Sequence, residues 1–273
     1  MSKRSLTWSE EKYKRYLAEG RGKGVGKDYL PWLTVQDFPS EGRISRVHGI
    51  TTDRVQHFFS DLETHCFYIF DWADEIIDIR EQYPLLEYDE LLTMATELGI
   101  KYPCDNDTDY PVILTTDFLL TVKTSKGTSL IARTVKPFSN LDKKRIIEKF
   151  ELERRYWLKR SVDWGIITEK DIPTEVVKNI QWVHPFYKFE ISNLSAGDFS
   201  LLCLQLKQRL KTDSNNSISK LCIKFDYDFN LQPGVSLSLF RHLVARKEIS
   251  FDVIKKLDLN IKLENYGSVI GEG

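Results

Sequence analysis

The sequence predicts an α/β fold, namely a sandwich of helices and strands followed by a small winged-helix-like domain. Two apolar strands, the first containing Asp117 and the second ending at Lys136, are separated by a short turn. Segments whose apolar residues have helical spacing lie before and after these strands. Beyond residue 171 the pattern changes to short helices followed by two alternating segments, which is typical of a helical domain with a β-ribbon.

The length of the chain favours two domains. It has 273 residues, of which 41% are hydrophobic and 29% are charged, and its net charge is −1. This length exceeds the commonest size of a single domain, and the apolar residues suffice for two cores. We predict one domain over residues 1–170 and a second over residues 171–273.

Cysteine spacing and hydropathy bear on the cellular compartment. The four cysteines are scattered without a CxxC pair, so neither a zinc site nor a disulfide framework is indicated. No apolar run reaches the roughly 20 residues that a membrane helix needs, and the charged start lacks the apolar stretch of a signal peptide. We expect a cytoplasmic protein with no membrane partner.

Residues 1–27 form a basic arm, with eight Lys and Arg residues against three Glu residues. Such an arm can follow a phosphate backbone, although a solvated and mobile terminus has the same composition. Residues 19–28 alternate glycine with mostly basic residues, but Lys27 is followed by Asp28 instead of Ser or Thr, and no strand comes before. A flexible connector is therefore favoured over a nucleotide-binding loop.

Two helices and a strand are predicted in the segment before Asp117. Leu62, Cys66 and Ile69 have helical spacing, which predicts a helix over residues 59–72 with Glu63 at the edge of its buried face. Residues 75–83 read as a strand that Pro84 closes. A second, more exposed helix is predicted over residues 87–101.

An aspartate is disfavoured in a half-buried strand, and its unpaired charge is costly to bury. Asp117 therefore needs a lysine, a metal ion or a water-filled cleft nearby. If Lys126-Gly127 is a two-residue hairpin loop, Asp117 lies opposite Lys136, and Thr134 shares their sheet face. The three side chains then converge, whereas a three-residue loop would change this register.

A basic helix is predicted after Pro137, capped by Ser139 or Asn140. Its exposed side carries a row of cations that either contacts DNA or is simply solvated. The members of this basic row are Lys143, Lys144, Arg145, Lys149, Arg154, Arg155, Lys159 and Arg160. A further strand is expected over residues 162–168.

The second domain is predicted to contain four helices, over residues 174–183, 196–211, 215–225 and 234–247. Two alternating segments, residues 249–252 and 257–263, are predicted strands. Helices that end in a ribbon suggest a helix-turn-helix with a wing. Such a domain can read DNA or hold a protein partner, and the sequence leaves both open.

The residues around Asp117 have the chemistry that phosphodiester hydrolysis needs. Asp117 is the candidate central metal ligand, Glu63 completes the metal site, and the Val135 carbonyl is a further ligand. Lys136 would orient the attacking water or neutralise the phosphate. The alternative is structural: Asp117 forms an ion pair with Lys136, and Glu63 caps a helix.

Histidine offers a competing route to hydrolysis, because His48, His57 and His65 cluster in the sequence. Their offsets do not match the i, i+4 spacing of a zinc motif. Surface or structurally satisfied histidines are therefore the preferred interpretation.

Several segments, in the same order, resemble TnsA, the endonuclease family of heteromeric bacterial cut-and-paste transposases. The resemblance extends over residues 20–185. It is carried by residues 24–36 (GVGKDYLPWLTVQ), Leu62-Glu63, residues 78–85 (DIREQYPL), Thr116-Asp117-Phe118, Val135-Lys136-Pro137 and residues 152–157 (LERRYW).

The resemblance implies a restriction-endonuclease-like catalytic domain followed by a winged-helix-like domain. It maps the catalytic acid, acid and lysine onto Glu63, Asp117 and Lys136. It implies cutting of the 5′ strands at transposon ends with Mg²⁺, two ions per site, for which Mn²⁺ can substitute. The implied partners are transposon-end DNA, a TnsB-type transposase and, through the C-terminal domain, a TnsC-type AAA+ regulator.

One departure from the family pattern concerns the position two residues before the lysine, which usually carries an acid or a glutamine and here is Thr134. A threonine hydroxyl is a weaker, neutral ligand, and we expect Thr134 still to face the metal. A different class of function, a catalytically inactive DNA-binding or assembly factor with the same fold, remains the alternative.

Overall fold

A computed structural model describes residues 7–37, 43–192, 194–213 and 215–270. The chain divides into two compact units, with the boundary between Ile172 and Pro173. This boundary lies two residues after the one that we expected from the sequence.

The first unit contains four helices and six strands in its described residues. They are α1 (Glu10–Ala18), β1 (Ser45–His48), β2 (Val55–Phe58), α2 (Asp61–Trp72), β3 (Ile76–Pro84), α3 (Tyr88–Glu97), β4 (Thr115–Thr124), β5 (Gly127–Val135), α4 (Lys144–Lys159) and β6 (Asp163–Ile167). The predicted helices and strands from residue 59 to residue 168 are therefore present.

A four-stranded sheet in the order β3-β4-β5-β6 forms the centre of this unit. Its first three strands are antiparallel, whereas β5 and β6 are parallel and joined through α4. On one face, Phe118 packs against Phe58 and against Phe70 of α2. On the other face, Leu119 lies in a core cluster with Leu152 of α4. The sheet with helices on both faces confirms the predicted α/β sandwich.

The register of the β4–β5 hairpin differs from the predicted one. Thr124 pairs with Gly127, so the two-residue loop is 125–126 and not 126–127. Gly127 has a φ of 126°, a conformation that glycine adopts without strain. The last residue pair at the open end is Phe118 with Arg133, so the prediction that Asp117 lies opposite Lys136 is wrong.

The basic arm is folded over its described residues, contrary to the expectation of a flexible connector. Tyr16 of α1 is buried against Trp8 and Trp32, with ring centroids 5.5 and 5.3 Å away. In the glycine-rich segment a Cβ at Gly24, whose φ is 91°, would meet the Asp28 carbonyl oxygen at 2.2 Å. The glycines therefore permit a tight, ordered turn. Lys3 and Arg4 lie outside the described residues.

The second unit contains four helices and a two-stranded ribbon in its described residues. They are α5 (Thr174–Val183), α6 (Ala196–Thr212), α7 (Ile218–Asp228), α8 (Val235–Ala245), β7 (Ile249–Phe251) and β8 (Gly267–Val269). The four helices agree with the predicted ones to within a few residues.

The predicted strand over residues 257–263 is wrong, because β7 pairs with β8 at Gly267–Val269 instead. Residues 257–263 instead cap the start of α7. The carbonyls of Ile261 and Leu259 accept hydrogen bonds from the backbone N–H groups of Ile218 and Ser219, at 3.1 and 2.9 Å. These carbonyls satisfy the free donors at the start of α7, which a strand ladder would not do.

Helix α8 is the centre of the second unit. Leu239, Phe240, Leu243 and Val244 are fully buried, and none of the residues Val235–Ala245 is exposed. In a winged helix the helix before the ribbon enters the DNA groove, whereas the outer side of α8 offers only half-buried residues such as Val235, Ser238 and Arg241. The winged-helix assignment stays a prediction. None of the helices in the described ranges combines the length and apolarity needed to span a membrane.

Candidate active site

Glu63 lies in the first turn of α2 and closes a capping box with Ser60. The Glu63 N–H donates to the Ser60 hydroxyl at 3.1 Å, and that hydroxyl donates to Glu63 Oε1 at 2.7 Å. The Phe59 N–H donates to Glu63 Oε2 at 3.0 Å. Glu63 therefore does cap a helix, as the structural alternative predicted. A glutamate is rarely buried unless its charge is paired, yet Glu63 is only 8% exposed, so capping alone does not explain its position.

Asp117 lies where β4 and β5 diverge. Its Oδ2 accepts a hydrogen bond from the Val135 N–H at 2.7 Å, and its Oδ1 accepts one from the Gln82 side chain at 3.1 Å. The Val135 N–H is thereby bonded to a carboxylate and not to a carbonyl of β4. Gln82 has a φ of 48°, which marks a local irregularity in β3 opposite Asp117. The splayed strands thus direct the carboxylate to the end of β5.

The Lys136 side chain follows directly on β5, whose extension is fixed by a 3.0 Å hydrogen bond from the Lys136 N–H to the Ile167 carbonyl. Burial raises the pKa values of both Glu63 and Asp117, and the charge of Lys136 opposes this increase, so the three groups interact electrostatically. Within the described part of the chain, however, Lys136 is in no ion pair. The alternative that Lys136 is the ion-pair partner of Asp117 is therefore wrong.

Two acids close together make the site electrostatically unfavourable in the absence of a cation. Burial, followed by the negative charge of Asp117, raises the pKa of Glu63 to about 7. Burial also raises the pKa of Asp117, against the opposing effects of the Val135 N–H and Lys136. An excess of negative charge that Lys136 does not neutralise is what a bound divalent cation would relieve.

Thr134 occupies a different environment from the one expected. It is buried, and its hydroxyl donates to the carboxylate of Glu153 on α4. The Thr116 hydroxyl donates to the same carboxylate oxygen at 2.7 Å. The Thr134 hydroxyl is thus engaged with Glu153, whereas Asp117 is engaged with Val135.

Glu153 is a buried acid that the sequence did not single out. Burial raises its pKa to about 7, and the charge of Asp117 contributes to the increase. In the sequence it is one of several acids in a helix rich in Glu and Arg, and only its place on the apolar side, one residue after Leu152, distinguishes it. Its contact with Thr134 could not be read from spacing.

Most of the basic row is paired with acids. Arg154 and Arg155 both reach Glu151, at 2.8 and 2.7 Å, and Arg160 reaches Glu90 at 3.1 Å. The other paired cations are Lys144 and Arg145 with Glu148, and Lys159 with Glu90. Lys143 and Lys149 are the two members of the row that take part in none of the ion pairs among the described residues. Whether the row contacts DNA or is simply solvated stays a prediction, and the acidic partners reduce the charge that it can offer to a phosphate backbone.

The three candidate histidines do not form a metal site. His48 lies 3.4 Å from Asp53, and His57 accepts a weak 3.5 Å hydrogen bond from the Val35 N–H. His65 is on α2. No group of three or more His, Cys, Asp or Glu side chains within the described ranges has the arrangement to hold a metal ion. Any ion near Asp117 would therefore need backbone, water or substrate oxygens as well.

Two carboxylates and a lysine lie at the end of the central strands of a mixed sheet that has helices on both faces. Acids and a lysine placed together in this way are the groups that a nuclease uses on a phosphodiester, and the arrangement of sheet and helices is of the restriction-endonuclease-like class. The family follows from two matches. Residues 73–169 match the family described as "TnsA-like endonuclease N terminal", and residues 171–253 match "TnsA endonuclease C terminal".

A curated relative extends this match to nearly the whole chain. The transposon Tn7 transposition protein TnsA of Escherichia coli is 39% identical over 260 residues, which cover 95% of this chain and 92% of that protein. The chain belongs to the TnsA endonuclease family and is a DNA endonuclease of transposition.

Proposed function

We propose that the protein hydrolyses the 5′ strands at transposon ends in a Mg²⁺-dependent reaction, with Glu63, Asp117 and Lys136 as its catalytic residues. The observation that carries this proposal is the pair of acids, Glu63 and Asp117, near a lysine that forms no ion pair with either. A purely structural pair of acids would be expected to recruit that lysine.

The residues around Asp117 fit Mg²⁺. This ion usually takes one or two carboxylates and completes its octahedron with water and substrate phosphate, so two acids suffice. We propose Glu63, Asp117 and the Val135 carbonyl as ligands, for two ions per site, with Mn²⁺ as a substitute. Because the Thr134 hydroxyl donates to Glu153, we assign Thr134 to the support of that acid in place of the ligand role expected from the sequence.

Each residue has a separate task in the proposed reaction. When bound, Mg²⁺ supplies an acidified water and neutralises charge on the phosphate. Asp117 is held in one orientation by the Val135 N–H and the Gln82 amide. Glu63 is held by Ser60 and Phe59. The Lys136 ammonium, without a carboxylate partner, is available to bind the scissile phosphate and to stabilise its developing charge.

The proposed partners follow from the family. The relative in Escherichia coli is named a transposition protein, and we propose that this chain acts on transposon-end DNA together with a TnsB-type transposase. We propose a TnsC-type AAA+ regulator as the partner of the second unit. The burial of α8 supports a protein partner over DNA there, because this helix presents no fully exposed residue to a groove.

The test is cutting of transposon-end DNA in Mg²⁺ with the TnsB-type partner present. Asp117→Asn keeps the shape of the side chain and removes its charge, and should abolish 5′ cutting. Asp142→Asn, at an exposed position before α4, is the matched control and should cut normally. If Asp117→Asn cuts as well as the unmodified protein, the assignment fails and an assembly role without catalysis gains support.

A further inference from the structure

Lys149 is an exposed residue in the first half of α4, and two buried residues of the helix share its face. Residues 149, 153 and 157 are four apart and share one helix face. Trp157 donates to the Thr116 hydroxyl at 2.7 Å, and Glu153 accepts from Thr134. Lys149 therefore precedes Glu153 by about one turn, roughly 5.4 Å, along the same face.

The direction of α4 fixes which end of the sheet Lys149 reaches. Helix α4 connects the parallel strands β5 and β6, so it must run back from the end of β5 to the start of β6. Its early residues are consequently near the end of β5. Glu153 contacts Thr134, the last but one residue of β5, and Lys149 is one turn closer to the start of the helix. This places Lys149 beside Val135 and Lys136.

The charged groups that shift the pKa of Lys149 are both cations, Arg145 and Lys136. No carboxylate within the described ranges pairs with it, whereas six other members of the basic row have acidic partners. Packing around its ammonium, then the charges of Arg145 and Lys136, lowers the pKa of Lys149. Two unpaired lysines held near each other repel, and an anion between them removes that cost.

We propose that Lys149 binds a backbone phosphate of the DNA strand that is cut, next to the phosphate held at Lys136. The proposal rests on the proposed nuclease function and names a substrate-positioning residue for it. The ligand is a phosphodiester, because the neighbouring Lys136 already faces the acids that hydrolyse one. Lys149 contributes affinity and register, without sequence preference.

Lys143 is the matched control. It too has no ion pair in the described part of the chain, but it precedes the first turn of α4 and is six residues from Lys149. Six residues correspond to more than one and a half turns, so the two side chains point to different sides. A general loss of positive charge would affect Lys143→Gln and Lys149→Gln equally, whereas the proposal distinguishes them.

The experiment measures binding of transposon-end DNA at several salt concentrations with a fixed amount of the TnsB-type partner. All proteins carry Asp117→Asn, so binding does not depend on cutting. Lys149→Gln should weaken binding to end DNA and to unrelated DNA by the same factor and reduce the log–log salt slope by about one. Lys149→Arg should restore the slope, and Lys143→Gln should leave it unchanged.

Cutting kinetics of proteins with intact Asp117 complete the test. Lys149→Gln should raise KM more than it lowers kcat, because phosphate binding is lost while Lys136 and the acids remain. An unchanged salt slope for Lys149→Gln, or an equal change for Lys143→Gln, would overturn the role of Lys149 without touching the nuclease assignment. Normal cutting by Asp117→Asn would instead refute the proposed function itself.

Discussion

The pKa of Glu63 leads to a quantitative prediction about stability. Its pKa is raised from 4.5 to about 7, first by burial and then by Asp117. A raised pKa means that the folded state prefers the protonated acid. The favourable contribution is complete below pH 4.5, and it is lost as the pH rises through about 7. At about 1.4 kcal/mol per pH unit, the loss amounts to about 3 kcal/mol.

Glu63→Gln removes this titration while keeping the shape of the side chain. In metal-free protein, the difference in unfolding free energy between Glu63→Gln and the unmodified protein should increase in favour of the variant by about 3 kcal/mol from pH 4.5 to pH 8. Urea unfolding in the presence of a chelator measures this difference. Glu97→Gln, at an exposed position of α3, is the control and should show no comparable trend.

Addition of Mg²⁺ provides the second half of this experiment. At pH 8 the ion should stabilise the unmodified protein more than Glu63→Gln, because binding to the folded state raises its stability by mass action. If the difference in unfolding free energy between Glu63→Gln and the unmodified protein stays constant from pH 4.5 to pH 8, the inference that Glu63 and Asp117 lie close together in one buried site is refuted.

Three further changes test other parts of the structure. Replacing all of residues 143–145 by alanine should weaken DNA binding only slightly and reduce its salt slope by at most about one, because Lys144 and Arg145 pair with Glu148 and Lys143 is expected to contribute nothing; an unchanged slope would make this part of the row a solvated face. Trp32→Ala should cost about 3–5 kcal/mol of unfolding free energy, because this buried ring contacts Trp8 and Tyr16; a loss below about 1 kcal/mol in urea unfolding would contradict the packing. Thr134→Val should destabilise the protein by about 1–3 kcal/mol, since Glu153 loses a donor, and should change Mg²⁺ affinity little in a calorimetric titration. A tenfold loss of that affinity would instead make Thr134 a ligand.

The sequence predicted the elements that local patterns determine. Ser60 before an apolar helical repeat, with Glu63 three residues later, indicates a helix start, and α2 begins at Asp61. The apolar strands on both sides of the hairpin were equally clear. Their register was not, because a shift of two residues keeps every side chain on its face and only the backbone of Gly127 decides the loop.

The sequence could not predict contacts that depend on tertiary structure. Helix α1 is polar on most sides, and its stability comes from Tyr16 packing on distant Trp32, which no local pattern shows. Residues 257–263 alternate like a strand but cap α7. Likewise, Glu153 approaches Thr134 only because α4 lies across the sheet. Asp117 could be identified from the sequence because the burial of an unpaired charge in an apolar strand costs free energy whatever the strand packs against.

Metal binding by the two acids can be observed directly. In a crystal of the protein soaked with Mn²⁺, an anomalous difference peak should lie between Glu63 and Asp117, within about 2.0–2.4 Å of a carboxylate oxygen of Asp117 and near the Val135 carbonyl. The peak should be absent in Asp117→Asn. A peak at another place, or one that survives in Asp117→Asn, would contradict the assignment of this site as the catalytic metal centre.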